Sequence, residues 1–231
     1  MKYKLNDFFI DGIKAKILAK KYSTPLYCYS LKKIKENIKN FQKSFKSIDP
    51  LVCFAVKANP NKTILRQMGK LGLGADVVSI GELMRALKAG IKPNKIVFSG
   101  VGKTSHELIH AIKKNILLIN AESKSEILEI ERIAKTKKKK VNVGVRLNPN
   151  TDAKTLSQIS TGKKENKFGI PEKDLLHIVK YIKNSKYLDL KCLSVHIGSQ
   201  ILDHTPYEKM LKVIKRIINK TKFKFEYIDL G

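Results

Sequence analysis

One lysine differs from the many others in this sequence by its position. Lys57 directly follows the apolar run Val52–Val56, whose β-branched and aromatic residues predict a buried strand. A lysine at such a strand end, partly removed from water, can present a neutral amine that attacks a carbonyl carbon and forms a Schiff base. The alternative is an ordinary lysine whose stem covers apolar surface while its ammonium group stays in water. Position alone favours neither interpretation.

Three further side chains lie in predicted strands or at their ends, where catalytic groups are often found. His196 follows Leu193–Val195 and precedes a Gly-Ser turn, so its ring could stack on a flat ligand or move protons near neutral pH. Asp76 and Arg146 each lie within a predicted strand. The structural alternatives are a hydrogen-bonded core histidine and an Asp76–Arg146 ion pair across neighbouring strands.

The elements that position these residues alternate along the chain. Seven short apolar runs are predicted strands: Leu51–Val56, Ala75–Ser79, Lys95–Ser99, Ile116–Asn120, Val141–Leu147, Leu190–Ile197 and Phe225–Leu230. Apolar residues at three- and four-residue steps predict the helices between them: Lys62–Leu71, Gly81–Ala89, Ser105–Lys114, Ser123–Thr136, Glu172–Asn184 and Tyr207–Thr221. This alternation predicts a parallel sheet covered by helices. We expect a (β/α)8 barrel of the TIM type; the alternative is a doubly wound open sheet, whose GxGxxG turn is absent after the first strand.

Local signals refine these boundaries. Ser79 and Ser123 are placed to cap the helices that follow them, and Gly90 is placed to end one. A short strand is expected at Leu26–Tyr29, after Pro25.

Two parts of the chain are expected, an N-terminal segment at residues 1–30 and a barrel at residues 31–231. The sequence stops at Gly231, directly after an apolar strand that no helix follows. An open strand edge of this kind predicts a barrel that is truncated after its seventh strand.

In a barrel of parallel strands, functional groups come from the carboxyl ends of the strands and the loops that follow. Applied to the predicted strands, this rule selects Lys57, Asp76, Ser79, Ser99, Gly100, Asn120, Glu122, Arg146, Asn148, His196 to Gln200 and Asp229. It also selects the long loop Pro149–Gly169, since long loops in compact domains are often functional.

Composition narrows the class of protein. No apolar run approaches the roughly 20 residues that span a bilayer, and the N-terminus lacks a signal peptide, so a cytoplasmic protein without membrane contact is expected. The three cysteines show no metal-binding spacing and are expected to be reduced thiols. The net charge of +27 comes mainly from lysines dispersed over the predicted helices, whereas nucleic-acid binders concentrate charge on one face and use arginine. No nucleic-acid partner is therefore expected.

Seven motifs, in order and at predicted strand or loop ends, carry a resemblance to a known family. They are Ala55-Val56-Lys57-Ala58-Asn59, Gly74 to Leu83, Ile96 to Thr104, Arg146-Leu147-Asn148-Pro149, Ile159-Ser160-Thr161-Gly162, Lys167-Phe168-Gly169 and His196-Ile197-Gly198-Ser199-Gln200. The chain from about Phe8 to Gly231 thereby resembles the fold-type-III pyridoxal-phosphate-dependent decarboxylases, which are homodimers with a barrel and a C-terminal β-domain.

The resemblance implies a role for each matching residue. Lys57 would hold pyridoxal 5'-phosphate covalently, and His196 would stack on the face of its ring. Asp76 would lie close to Lys57, and Arg146 close to the ring oxygen and His196. The cofactor's phosphate would be held by two further residues, Ser199 and Gly231.

The resemblance also implies the reaction, decarboxylation of a basic amino acid. Meso-2,6-diaminopimelate is the expected substrate, favoured by the Ile-Gly-Ser-Gln segment and by Glu165 to Gly169; ornithine, arginine or another basic amino acid is the alternative. The family's later glycines, Glu-Pro-Gly-Arg segment and C-terminal β-domain do not follow Gly231, so the chain alone is expected to have little or no activity. A non-catalytic binding protein on the same fold is the alternative of another class.

Overall fold

A computed structural model describes the chain apart from residues 1, 5, 46, 154, 156–159 and 163–167. The chain forms two compact units, Met1–Val52 and Cys53–Gly231. The expected division into residues 1–30 and 31–231 stays a prediction. None of the helices in the described ranges is long and apolar enough to cross a membrane.

The first unit contains a small antiparallel sheet and two helices. Its elements are β1 (Lys2–Lys4), β2 (Asp7–Ile10), β3 (Ile13–Lys14), α1 (Ala15–Tyr22) and α2 (Leu31–Lys43). Ser30 caps α2 by accepting a hydrogen bond from Lys33 N, and its hydroxyl donates to Asp11. The predicted strand at Leu26–Tyr29 is wrong, since these residues have no regular structure. A strand needs a hydrogen-bonded neighbour, and this segment pairs with no strand in the described part of the chain.

The second unit repeats strand and helix along the chain. Its strands are β4 (Cys53–Ala55), β5 (Gly74–Val77), β6 (Ile96–Phe98), β7 (Leu118–Ala121), β8 (Val141–Asn148), β9 (Ile170–Pro171), β10 (Leu188–Ser194) and β11 (Tyr227–Asp229). Its helices are α3 (Lys62–Lys70), α4 (Ile80–Lys88), α5 (Ser105–Lys113), α6 (Lys124–Thr136), α7 (Glu172–Asn184) and α8 (Thr205–Thr221). Each predicted strand and helix of this unit is therefore confirmed, with ends that differ by a few residues.

The strand order decides between the two predicted architectures. The main sheet runs β4-β5-β6-β7-β8-β10-β11 with every pair parallel, while β9 pairs with the end of β8. A doubly wound sheet reverses its strand order at a switch point, whereas strands in chain order are typical of a (β/α)8 barrel. The second unit is thus seven strands of a TIM-type barrel with their helices.

The core of this unit lies between the sheet and its helices. Leu65, Leu83, Phe98, Ile119 and Leu147 are among its fully buried side chains. A smaller cluster is formed by Val97, Leu118 and Cys192, with Cys53, Leu117 and Tyr227 packed against it. Burial raises the pKa of the Cys53 thiol to about 12, and all three cysteines are free, as expected of reduced structural thiols.

Serine side chains cap two of the helices and fix where they begin relative to the strand ends. Ser79 accepts a hydrogen bond from Glu82 N, and Ser123 accepts one from Glu126 N, so both predicted caps are confirmed. Gly90 follows α4 with φ +91°, a conformation that favours glycine. The short loops after β5 and β7, which contain Ser79 and Ser123, are therefore held at the edge where the candidate site lies.

Candidate active site

The carboxyl ends of the parallel strands bring the predicted residues to one edge of the sheet. Lys57 lies exposed in a single 3₁₀ turn, Val56–Ala58, directly after β4. The others follow in strand order: Asp76 on β5, Ser99 and Gly100 after β6, Asn120 on β7, Glu122 after β7, Arg146 and Asn148 on β8, His196 after β10 and Asp229 on β11. The partial burial expected for Lys57 is not found: its side chain is exposed, although Val56 in the same turn is fully buried.

A chain of hydrogen bonds links two carboxylates at this edge. The Ser99 hydroxyl donates to Asp76 Oδ1 over 2.7 Å. Asn120 Nδ2 donates to Ser99 Oγ over 3.3 Å and to Asp229 Oδ2 over 2.8 Å. The Ser194 hydroxyl also donates to Asp229 Oδ2, over 2.9 Å. Asp229 therefore accepts more of these hydrogen bonds than Asp76 does. Hydrogen bonding thus stabilises a negative charge better on Asp229 than on Asp76.

Arg146 is held by a buried carboxylate. Its Nη1 donates to Glu122 Oε1 over 2.8 Å and to Oε2 over 2.9 Å, and the two side chains are 8% and 2% exposed. Glu122 Oε1 also accepts the Gly100 N–H over 2.8 Å. The Arg146 guanidinium lies 4.8 Å from the centre of the Phe168 ring. Arg146 thus has a fixed place at the strand end.

The structural alternative for Arg146, an ion pair with Asp76, is wrong. Arg146 pairs with Glu122 instead. Asp76 lies on β5 and Arg146 on β8, and these strands are not neighbours in the sheet. The carboxylate that Arg146 reaches follows β7, the strand that pairs directly with β8.

His196 is half-buried and is kept neutral at pH 7. Burial lowers its pKa to about 4, and the charges of Arg146 and Lys57 act in the same direction. The Thr161 hydroxyl donates to the His196 carbonyl over 2.8 Å. Gly231, with φ +86°, packs against the ring, and a Cβ at this position would lie 2.3 Å from His196 Nδ1. The His196 ring is therefore an uncharged flat surface, and a hydrogen bond to its carbonyl holds the backbone of this residue.

Asp76 titrates unusually for an aspartate. Burial raises its pKa to about 6; the charge of Asp229 adds to this effect, while the Ser99 hydrogen bond and the charge of Lys57 oppose it. Because the positive charge of Lys57 acts on the pKa of both Asp76 and His196, the three side chains form one electrostatic group. With this pKa, Asp76 can exchange a proton near neutral pH.

We expect Asp76→Asn to stabilise the protein at pH 7.5 but not at pH 4. The folded protein keeps the Asp76 proton up to about pH 6, whereas the ordinary pKa of an aspartate is 3.8. Stability from this proton is complete below about pH 4 and is lost as the pH rises through 6. The asparagine variant avoids that loss, which we expect to be about 3 kcal/mol at pH 7.5. Urea unfolding at several pH values measures it, and a difference that does not change with pH would contradict the prediction.

The other predicted site residues have less defined surroundings. Ser199 is exposed, and its carbonyl accepts a hydrogen bond from Thr155 Oγ1 over 3.0 Å. The Gly231 N–H donates to Asp229 Oδ1 over 2.9 Å. The predicted contacts of Lys57, Asp76, Arg146, His196, Ser199 and Gly231 with a cofactor stay predictions. Ile159 and Glu165 to Lys167, which contributed to the resemblance and to the substrate assignment, lie outside the described residues.

Sequence reasoning missed two features of the site. Ser194, whose hydroxyl donates to Asp229, was not selected, although in the predicted strand Leu190–Ile197 it lies two residues before His196 and therefore on the same face. A buried ion pair, Lys103–Glu126, was also missed. No sequence signal distinguishes Lys103 from the many exposed lysines, whereas alternation along β10 could have identified Ser194.

Comparison with known proteins agrees with this arrangement. Residues 31–231 match the family model described as "Pyridoxal-dependent decarboxylase, pyridoxal binding domain". The chain belongs to this family. Pyridoxal phosphate is the family's cofactor, and the family's members are carboxy-lyases.

Individual relatives are similar over most of the chain. A diaminopimelate decarboxylase of Helicobacter pylori strain J99 is 49% identical over 201 residues, which are 85% of this chain and 50% of that protein. The crystal structure of an H. pylori diaminopimelate decarboxylase complexed with L-lysine has a TM-score of 0.84 at 46% identity and covers 89% of this chain and 53% of that one. A diaminopimelate decarboxylase from M. jannaschii with L-lysine has a TM-score of 0.91 at 36% identity, covering 100% and 56%. The chain spans about half the length of the relatives it matches.

The described residues fit an aldehyde cofactor that carries a phosphate. Lys57 presents an exposed amine at the strand edge, which is the group that captures an aldehyde. Besides burial, which is the main cause of the lowered pKa of His196, the positive charges of Arg146 and Lys57 act on this residue, and cations at the site suit an anionic phosphate. The close approach of Gly231 to the His196 ring leaves backbone rather than side chain beside it, so a flat group can approach closely.

Proposed function

We propose that this chain forms the cofactor-binding part of a pyridoxal-phosphate-dependent decarboxylase that converts meso-2,6-diaminopimelate to L-lysine. The observation that carries the proposal is the exposed amine of Lys57 at the carboxyl edge of the sheet, electrostatically coupled to Asp76 and His196. Relatives named diaminopimelate decarboxylase, two of them with L-lysine bound, support the choice of substrate and product. The protein acts in the cytoplasm, and the whole protein acts as a homodimer.

Each residue has a task that follows from its surroundings. Lys57 would hold the cofactor covalently, as the amine that captures its aldehyde, and would release it to the substrate's amine. When bound, pyridoxal phosphate accepts the electron pair that remains on carbon after carbon dioxide leaves. His196, neutral at pH 7, offers a flat ring face that carries no charge to oppose the cationic pyridine. Ser199 and the backbone of Gly231 bind the phosphate.

Two carboxylates, those of Asp76 and Glu122, have different electrostatic roles in the site. Asp76, with its raised pKa of about 6, holds or releases a proton beside the Lys57 amine at working pH. Glu122 compensates the charge of Arg146 and fixes the guanidinium at the end of β8, where it would be available to hold the cofactor's ring oxygen. The chain's own groups thus orient the cofactor and control protons around the amine.

A substrate panel tests the proposal on the full gene product that carries this chain. Carbon dioxide release is measured with meso-diaminopimelate, L-ornithine, L-arginine and L-lysine at saturating pyridoxal phosphate. We expect release from meso-diaminopimelate to exceed release from each other amino acid by at least about 100-fold in kcat/KM, because a site built to pair the second carboxylate of diaminopimelate rejects the other three, which lack that group.

The outcomes of this panel separate the alternatives. Preferential turnover of ornithine or arginine would keep the decarboxylase assignment and overturn the substrate. Cofactor capture on Lys57 without turnover of any amino acid would favour a non-catalytic binding protein. A protein that captures no cofactor would contradict the whole proposal.

A further inference from the structure

A buried ion pair lies behind the candidate site and contacts none of the residues assigned to the cofactor. Lys103 Nζ lies 2.8 Å from Glu126 Oε1, and the two side chains are 0% and 12% exposed. Lys103 Nζ also donates to the Gly100 carbonyl and lies 5.8 Å from the centre of the Phe98 ring. A lysine fully removed from water in a chain rich in exposed lysines needs a physical reason, because burying the charge is costly.

The Lys103–Glu126 pair fixes Glu122 through two sets of hydrogen bonds. Glu126 Oε2 accepts the backbone N–H of Glu122 over 2.8 Å, and Lys103 fixes the peptide of Gly100 through its carbonyl. The N–H of Gly100 donates to Glu122 Oε1. The backbone and the carboxylate of Glu122 are therefore both anchored, directly or through one residue, by the Lys103–Glu126 pair.

Glu122 transmits this anchoring to Arg146. Both Glu122 oxygens accept from Arg146 Nη1, so a shift of the carboxylate moves the guanidinium. The four charges of this buried group cancel: Lys103 and Arg146 are positive, and Glu122 and Glu126 are negative. A connected and charge-balanced set of this kind has one low-energy arrangement, since moving one member leaves another unpaired.

We propose that Lys103 and Glu126 are positioning residues that set the place of Arg146 in the active site through Gly100 and Glu122. The inference rests on the proposed function, in which Arg146 contacts the cofactor. Lys103 and Glu126 touch neither substrate nor cofactor in this arrangement. Their task is to hold the guanidinium where it acts on His196 and on the ring oxygen.

Two variants of Glu126 separate positioning from the direct effect of charge. Glu126→Gln keeps the length but loses the charge; its single oxygen is captured by Lys103, which leaves the Glu122 N–H facing an amide NH₂. Glu126→Asp keeps the charge but is one methylene too short to reach both Lys103 and the Glu122 N–H. In both variants Glu122 loses its anchor, and Arg146 is free to turn towards water.

The readout is the titration of His196 in the cofactor-free protein, followed by NMR of the histidine rings and assigned with His196→Gln. The charges that act on the pKa of His196 are those of Arg146, Lys57, Asp229 and Glu122. When Arg146 moves away, its depressing effect is lost, and we expect the pKa of His196 to rise by about one unit in both variants.

The alternatives give different patterns. A direct effect of charge lowers the pKa of His196 in Glu126→Gln, because an anion is removed, and leaves it unchanged in Glu126→Asp. If the pair only stabilises the fold, both variants have a lower melting temperature and an unchanged pKa of His196. Either pattern overturns the inference. If Glu126→Gln fails to fold, Glu126→Asp still decides, since it leaves no buried charge without an opposite charge.

A matched control lies on the same helix. Glu129 pairs with Arg132 at the surface of α6, with both bonds 2.7 Å long, and no hydrogen bond links it to Glu122. Glu129→Gln should leave the His196 titration unchanged.

Cofactor binding is measured in parallel on the parent protein. If the parent captures no pyridoxal phosphate, the proposed function fails, while a His196 shift in the variants still supports the positioning of Arg146. If the parent binds the cofactor and the variants show no shift, the positioning inference alone fails.

Discussion

Lys57→Ala is expected to abolish the visible absorbance band that develops when a lysine holds pyridoxal phosphate covalently. Alanine has no amine, and among the described residues Lys57 is the lysine whose charge acts on both Asp76 and His196. Borohydride should fix the cofactor on the peptide that contains Lys57 in the parent protein and on no defined peptide in the variant. The measurement is the absorbance spectrum followed by mass spectrometry of the reduced, digested protein.

Two control variants separate the covalent chemistry of the Lys57 amine from its positive charge and from the loss of any lysine close to it in the sequence. Lys57→Arg keeps a positive charge at the strand edge but cannot form the covalent link, so it should behave like alanine. Lys62→Ala removes a nearby lysine at the start of α3 and should retain the full band. Lys57 is exposed, so its loss should change the free energy of unfolding by no more than about 0.5 kcal/mol. A reduced cofactor found on another lysine of the parent would refute the assignment.

The fold of the second unit was predictable because its pattern is repetitive. Each strand is a short apolar run, and each helix shows apolar residues at three- and four-residue steps, so type and order follow from the sequence. The ends were less predictable: Leu51 and Val52 continue the apolar run, but the strand begins at Cys53. Its partner strand β5 begins at Gly74, opposite Cys53, and pairing rather than apolar character sets where a strand begins.

The close approach of backbone atoms at Gly74 could not be predicted from the sequence either. A Cβ on Gly74 would lie 2.2 Å from the Lys95 carbonyl oxygen. Only the three-dimensional register of β5 reveals this contact, because Gly74 and Lys95 are far apart along the chain. In the sequence Gly74 is one glycine among 13.

The site was predictable as a list of positions but not as a set of pairs. Strand ends selected Asp76, Asn120, Glu122, Arg146 and Asp229 without the structure, since parallel strands bring their carboxyl ends to one edge. Which acid would meet Arg146 depends on the stagger of β7 against β8 and on the caps that hold the following loop. The sequence left Asp76 as a possible partner, and the structure pairs Arg146 with Glu122.

Arg146→Met is expected to lower the free energy of unfolding by about 3–5 kcal/mol, because it leaves the buried carboxylate of Glu122 without its partner. Arg132→Met is the matched control. Arg132 also donates two hydrogen bonds to a glutamate, Glu129, but these side chains are 62% and 28% exposed. Water replaces the lost partner there, so a change of about 0–1 kcal/mol is expected. Urea unfolding of the cofactor-free proteins gives both values, and equal losses would contradict the argument from burial.

The size of this structural effect decides how the role of Arg146 in the site must be tested. A variant that loses several kcal/mol of stability would bind cofactor poorly even if Arg146 never touched it. Arg146→Met combined with Glu122→Gln removes the unpaired charge, and we expect it to recover most of the lost stability. If Arg146 contacts the cofactor, the double variant should still bind pyridoxal phosphate more weakly than the parent. Its stability is close to that of the parent, but it lacks the guanidinium. Parent-like affinity in the double variant would show that Arg146 acts only through folding.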